Sequence, residues 1–114
     1  MKTTPVITKP KAKIEPHEGC VASAVKILGD KWTALILLDM AEGEKRFCQF
    51  ERSLPGISPR TLSQRLDSLV EHKIVTKKAF SEVPPKVEYT LTKKGQDFIP
   101  VLKQMAAWGT KYSG

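Results

Sequence analysis

The run Leu54-Pro55-Gly56-Ile57-Ser58-Pro59-Arg60-Thr61-Leu62-Ser63-Gln64-Arg65-Leu66 carries the clearest structural punctuation in the chain. Pro55 and Gly56 make a turn, because proline presets one backbone angle and glycine tolerates positive φ. Ser58 then stands ready to accept a backbone N–H as an N-cap, and Pro59 occupies the first helical position, where its missing N–H costs nothing. A helix is therefore predicted from Ser58 to His72. Leu62, Leu66, Leu69 and Val70 recur at i, i+4, i+7 and i+8, which gives that helix one apolar stripe. Arg60, Thr61, Gln64, Asp67, Ser68 and Glu71 fall on the opposite face.

Upstream, Gln49 to Leu54 reads as a short helix, with Phe50 and Leu54 four residues apart, and Arg46-Phe47 as a very short strand. Before that, Asp30 can cap a strongly apolar helix containing Trp32, Leu35, Ile36, Leu38 and Met40 that ends near Ala41. Cys20 to Leu28 is a further helix closed by Gly29, and Val21, Ala22, Ala24, Val25, Ile27 and Leu28 cover a wider arc of it than a lone surface helix needs. Residues 1–19 hold Pro5, Pro10 and Pro16, four lysines and no helical or strand period, and read as a flexible basic arm outside the folded domain of residues 20–114.

Downstream, the period changes to two. Val75–Phe80 and Lys86–Leu91 alternate β-favouring with polar residues around a Glu82-Val83-Pro84-Pro85 tip, which predicts a hairpin. A last helix from about Thr92 to Tyr112 carries Phe98, Val101, Leu102, Met105, Ala106, Trp108 and Tyr112 on a broad apolar arc, with Pro100 as a kink point.

The chain has 114 residues, and 19 Lys+Arg against 12 Asp+Glu give it a formal charge of +7. That length suits one domain. The longest apolar run, Ala34 to Leu38, is closed by Asp39 and is far short of the roughly 20 residues of a membrane span. No secretion signal is read at the N-terminus, so the expected compartment is the cytoplasm. Two cysteines without C-x-x-C spacing, and histidines without a partner at i+3 or i+4, offer neither a disulfide framework nor a metal site. Neither a phosphate-binding glycine loop nor a hydrolase or metalloprotease motif occurs, so no enzyme and no cofactor are expected.

The order of elements is that of an α+β, mostly α, winged helix-turn-helix, in which the second helix of the helix-turn-helix can enter a major groove. Ser58, Arg60, Thr61, Gln64, Arg65 and Ser68 supply hydroxyl, guanidinium and amide groups suited to base edges and phosphates. Asp67 and Glu71 would repel the backbone, so the first two turns are expected to dock. Residues 73–94 hold six lysines against two glutamates, a net +4 centred on the hairpin. Arg60, Thr61 and Gln64 are assigned to base edges, and Ser58, Arg65, Lys77 and Lys86 to phosphates. The plain alternative is a solvated helix face with solubilising lysines beside it, on a winged helix that docks proteins and does not read DNA.

Taken together, Gly29-Asp30-Lys31-Trp32-Thr33 some ten residues after Cys20, the Leu54–Leu66 run, and Val83-Pro84-Pro85-Lys86-Val87-Glu88-Tyr89-Thr90-Leu91-Thr92-Lys93-Lys94-Gly95 resemble the HxlR-type winged-helix transcription regulators. The resemblance spans roughly Cys20 to Gly109. It implies a prokaryotic, homodimeric regulator of double-stranded DNA, with the first and last helices as dimer interface, Ser58–Arg65 in the recognition helix and Pro84-Pro85-Lys86 at the wing tip. Two such helices on a palindromic operator would stand about 34 Å apart. Repression is the expected sign, since occupancy of an operator over a promoter blocks polymerase.

Cys20 opens the first predicted helix, and at a helix N-terminus the helix dipole favours thiolate. The resemblance adds that some members sense oxidants or electrophiles through a cysteine near this position; the other account is a small apolar residue in the dimer interface. Cys48 reads as structural, His17 as part of the arm, and His72 as a helix C-cap. An apolar pocket between the dimer helices and the core, walled by Trp32 or Trp108, would make a small-molecule receptor.

Overall fold

Ser58 does cap the helix its sequence announces. Its Oγ accepts the Thr61 backbone N–H at 3.0 Å, and α4 follows as Pro59–Glu71. The computed structural model describes residues 16–113, with side chains from residue 21. Its elements run α1 (Pro16–Leu28), α2 (Lys31–Asp39), a 3₁₀ turn (Met40–Glu42), α3 (Phe47–Ser53), α4, β1 (Val75–Phe80), β2 (Lys86–Leu91) and α5 (Lys93–Tyr112). This is the winged helix-turn-helix expected from the sequence, with α3 and α4 joined by a turn in which Gly56 takes φ +95°.

Leu62, Leu66 and Leu69 of α4 are buried against Ile36, Leu37 and Met40 of the α2 region, Phe50 of α3, and Ile74, Val75, Tyr89 and Leu91 at the hairpin root. Ile99 and Leu102 of α5 close the same core. Phe50 and Tyr89 meet edge to face, with ring centroids 6.2 Å apart. Burial raises the Tyr89 hydroxyl pKa, and the charge of Asp67 on α4 adds to that shift.

The two strands pair antiparallel from Val75 opposite Leu91 to Phe80 opposite Lys86. A third strand at Arg46-Phe47 does not form. Lys45 alone bridges Tyr89, through backbone hydrogen bonds of 2.9 and 2.8 Å, and Arg46 turns the chain into α3 by donating its backbone N–H to Gln49 Oε1 at 2.8 Å. Phe47 thereby enters the helix and packs on the core. The predicted second helix tightens into the 3₁₀ turn after Asp39.

At the other end of the chain, α1 begins at Pro16, four residues earlier than its apolar pattern indicates, so residues 16–19 are helical and do not belong to an arm. The rest of that arm, with Pro5 and Pro10, lies outside the described residues. Cys20 is thus the fifth residue of α1, beyond the first four N–H groups that concentrate the helix dipole, and the thiolate argument drawn from a helix start no longer applies.

The joint between α4, the hairpin and α5 is built from backbone carbonyls. Past its C-cap His72, α4 ends in a Schellman motif: Lys73 takes φ 62°, its N–H reaches Val70 O at 3.0 Å, and the Ile74 N–H reaches Leu69 O at 2.9 Å. His72 Nδ1 lies 2.8 Å from Ser68 O, and Lys94 Nζ donates to His72 O at 2.9 Å. Thr92 caps α5 by accepting the Gly95 N–H at 3.1 Å, while its own hydroxyl donates to Lys73 O at 2.7 Å and lies 3.1 Å from Ile74 O. The helix continues through Pro100.

Gly95 is required by this crossing. A Cβ there would run into the Ile74 carbonyl oxygen and lie 3.0 Å from Leu91 Cδ2 and 3.2 Å from Ile74 Cγ2. Alanine is the better helix former by about 1 kcal/mol, so a free site would gain stability. Gly95→Ala is predicted to lose about 1–3 kcal/mol of unfolding free energy, as overpacked cores do, and a urea titration showing equal or higher stability would contradict this close approach.

Candidate nucleic-acid interface

Burial of the leucine stripe decides which side chains α4 presents. At 3.6 residues per turn, Arg60 and Gln64 lie one above the other on the outward face, and both are exposed. Thr61, Arg65 and Ser68 form a separate row, displaced toward the elbow between α1 and α2. The eight residues proposed from sequence therefore fall into three groups. Arg60 and Gln64 face outward, Thr61, Arg65 and Ser68 line the flank, and Ser58 sits at the cap with Lys77 and Lys86 on the hairpin.

Each flank residue has a partner or a wall. Thr61 Oγ1 accepts from Ser58 Oγ at 3.0 Å, so these two hydroxyls complete the cap. Arg65 donates Nε at 3.0 Å and Nη2 at 2.6 Å to one oxygen of Asp30. This is the main departure from the expected site, because a side chain assigned to phosphate is drawn to a carboxylate 35 residues away. Ser68 and Arg65, with Lys26, Ile27, Gly29, Asp30 and Thr33, line a cleft of about 300 Å³ against the elbow. Asp30 holds α2 as well, accepting from the Thr33 N–H at 3.2 Å and the Thr33 hydroxyl at 3.4 Å. The Arg65 hydrogen bonds hold the Asp30 carboxyl below its ordinary value of 3.8 and raise the guanidinium in return. Spacing alone marked Asp30 as a cap, and nothing in the sequence linked it to Arg65.

The lysines of the hairpin segment are less free than their number implies. Lys94 caps α4, and Lys93 pairs with Asp97 at 2.6 Å. Lys86, proposed as a phosphate ligand, lies 3.3 Å from Glu88 and 4.8 Å from the Phe80 ring centroid, so its charge is offset on the strand itself. Lys78 lies 5.2 Å from the same ring. Lys77 is exposed and has no carboxylate within salt-bridge distance among the described residues. The tip is apolar: Val83 is 101% exposed, and Pro84 and Pro85 are exposed beside it.

A second feature is an uncovered apolar surface on the terminal helices. Val21 and Val25 of α1, and Val101, Met105, Trp108 and Tyr112 of α5, are all exposed. Trp108 is 68% exposed and lies tilted at 45° to Tyr112 with ring centroids 5.2 Å apart, whereas Trp32 is half-buried and packs against the core. Among the described residues, one hollow touching α5 has a volume of about 420 Å³ (Met40–Gly43, Thr90, Leu91, Gln96, Ile99, Pro100, Lys103) and another about 200 Å³ (Ala24, Ile27, Ile74, Lys94, Asp97, Phe98), and neither tryptophan lines either of them. Among the described residues no helix is long and apolar enough to cross a membrane. Cys48 is exposed at the start of α3.

Comparison with known proteins identifies this arrangement. A family model described as HxlR-like helix-turn-helix matches residues 27–114. The chain belongs to the HxlR-like helix-turn-helix family. The HTH-type transcriptional regulator YdeP of Bacillus subtilis (strain 168) is 38% identical over 99 residues, spanning 86% of this chain and 77% of YdeP. The redox regulator HypR in its reduced form superimposes with a TM-score of 0.77 at 36% identity, covering 82% of this chain and 92% of that one. The reduced form of the transcriptional regulator YodB from B. subtilis gives a TM-score of 0.73 at 36% identity, covering 82% and 92%. This HxlR-like chain is a DNA-binding transcription regulator, and its family indicates no enzymatic activity.

The Asp30–Arg65 pair gives the regulator a testable acid response. A carboxyl whose folded pKa lies below its unfolded value stabilises the fold above the unfolded value, and that contribution is lost as pH falls through the folded one. Asp30→Asn keeps a capping oxygen and removes the charge. With both side chains about one-third exposed, the pair's contribution is small, roughly 0–1 kcal/mol. The wild type is expected to melt higher than Asp30→Asn near pH 7, and the gap is expected to close below about pH 4. A gap that stays constant over that range in calorimetry would show that the charge contributes nothing.

Proposed function

We propose that this HxlR-like regulator acts as a homodimer that reads a palindromic operator with two α4 helices and represses transcription by occupying it. The observation that carries this reading is the coexistence of an exposed Arg60–Gln64 face on α4 with an uncovered apolar stripe on α1 and α5. Soluble monomers seldom leave a Trp, a Tyr, a Met and several valines exposed along terminal helices, and a two-fold axis through such a surface would present both reading helices to one side of a duplex. Cytoplasmic action follows from the same reading.

Within that dimer, Arg60 and Gln64 take base edges. A guanidinium suits guanine O6 and N7, and an amide suits adenine N6 and N7. The α4 N-terminus that Ser58 caps, and Lys77 on the wing, take phosphates, which positions the helix without reading sequence, while the Ser58 hydroxyl proton stays with Thr61. Lys86 contributes less than sequence reading assigned to it, because Glu88 already offsets its charge. Thr61 and Ser68 supply hydroxyls at the edge of the docked face.

The signal is proposed to be thiol chemistry at Cys20, a reading supported by the likeness to a protein named as a redox regulator and by the place of Cys20 in the α1 helix assigned to the dimer. Diamide, which takes two electrons and two protons from a pair of thiols, is expected to join the Cys20 thiols of the two subunits and so to weaken DNA binding by the wild type and by Cys48→Ser but not by Cys20→Ser. Equal loss in all three would remove Cys20 from the signal.

The dimer and the readers are tested separately. Trp108→Glu, at an exposed position, is expected to sediment as a monomer, keep its fold by circular dichroism and bind operator at least tenfold more weakly. A dimeric Trp108→Glu with unchanged affinity would exclude this face. Arg60→Ala is expected to lose about 1–3 kcal/mol on the operator and to relax base preference at one position per half-site. Lys77→Ala is expected to weaken all duplexes alike and to reduce the salt slope by about one per bound subunit. Loss of discrimination from Lys77→Ala, or of salt slope alone from Arg60→Ala, would reverse these roles.

A further inference from the structure

We infer that Asp30 and Arg65 form a positioning pair that fixes the fine rotation of α4 about its own axis, so that Arg65 orients the DNA-reading face and does not bind phosphate. The inference rests on the DNA-binding reading above and concerns how that reading is made accurate. Burial of Leu62, Leu66 and Leu69 fixes which face α4 turns outward, and a side-chain pair off that row can restrain the small rolls that remain. Arg65 lies off that row, on the flank shared with Thr61 and Ser68, and two of its N–H groups converge on one carboxylate oxygen.

That carboxylate is itself anchored. Asp30 caps α2 through Thr33, and the preceding Gly29 turns the elbow with φ +67°, a conformation that favours glycine. The anchor is therefore a fixed point of the α1–α2 junction and not a mobile surface side chain. With side-chain tips about 5–6 Å from a helix axis, a roll of about 20° displaces them by about 2 Å, enough to break the hydrogen-bond geometry that base reading requires. With Nε and Nη2 engaged by Asp30, a phosphate contact from Arg65 would be left to its remaining N–H groups, and the salt slope distinguishes that contact from a positioning role.

The test uses the duplex that the 114-residue wild-type chain selects from a random pool, with a scrambled duplex of equal length as control. Binding of the wild type, Arg65→Ala, Asp30→Asn and the double variant is measured between 50 and 200 mM salt. For Arg65→Ala the expected result is an affinity for the selected duplex weaker by about two- to fivefold, with affinity for the scrambled duplex and both salt slopes unchanged. Asp30→Asn, which retains the cap, is expected to give the same loss, and the double variant no more than either alone. Equal losses on both duplexes with a salt slope reduced by about one would make Arg65 a phosphate ligand and overturn the inference. Additive losses in the double variant, or unchanged discrimination in both single variants, would overturn it as well. A wild-type chain that selects no duplex contradicts the DNA-binding reading itself, which separates that failure from this one.

Discussion

Burial of Leu62, Leu66 and Leu69 is the constraint from which the rest of the interface follows. Once that stripe is committed to the core shared by α2, α3, the hairpin root and α5, only one face of α4 remains for a partner, and it carries Arg60 and Gln64. The surrounding elements then act as stops. Ser58 fixes where α4 begins, the Schellman turn at Lys73 fixes where it ends, and Thr92 and Gly95 lock the wing and α5 onto that end. Helix length and the angle of the wing are thus set by short-range backbone chemistry, depth and outward face by the buried leucines, and the fine rotation by a side-chain pair that bridges distant parts of the chain.

Short-range chemistry was what the sequence made legible. Ser58-Pro59 marks a helix start because capping acts within three residues, and Val75–Phe80 and Lys86–Leu91 show a period of two that no helix reproduces. Such signals need no knowledge of the fold. The start of α1 was missed for the converse reason: residues 16–19 contribute nothing to an apolar stripe, so no period announces them. The strand at Arg46-Phe47 shrank to a bridge at Lys45 because burying Phe47 in α3 outweighed extending an edge pairing, a tertiary choice invisible in a local window.

For a related reason the sequence placed the candidate residues on one helix and one hairpin but did not show their partners. Counting lysines between residues 73 and 94 treats every charge as free, but Lys94 serves a helix end, Lys93 pairs within its own helix and Lys86 faces Glu88. Arg65 carried the same ambiguity. A basic residue on a polar helix face has one meaning when it faces solvent and another when a carboxylate from residue 30 lies beneath it, and only the folded chain distinguishes them. What sequence did indicate correctly about the terminal helices came from excess: their apolar arcs were wider than one neighbour can cover, and in the fold Trp108, Met105 and Val25 remain exposed.

The account joins two surfaces, an outward donor face on α4 and an apolar stripe on α1 and α5, into one symmetric reader of DNA. Selection of bound duplexes from a random pool by the 114-residue chain tests that union most directly. The account predicts a two-fold symmetric consensus with half-sites about one helical turn apart, bound at least about a thousandfold more tightly than a scrambled duplex. A pool that yields no consensus, with affinity for selected and scrambled duplexes falling equally and steeply with salt, would contradict it.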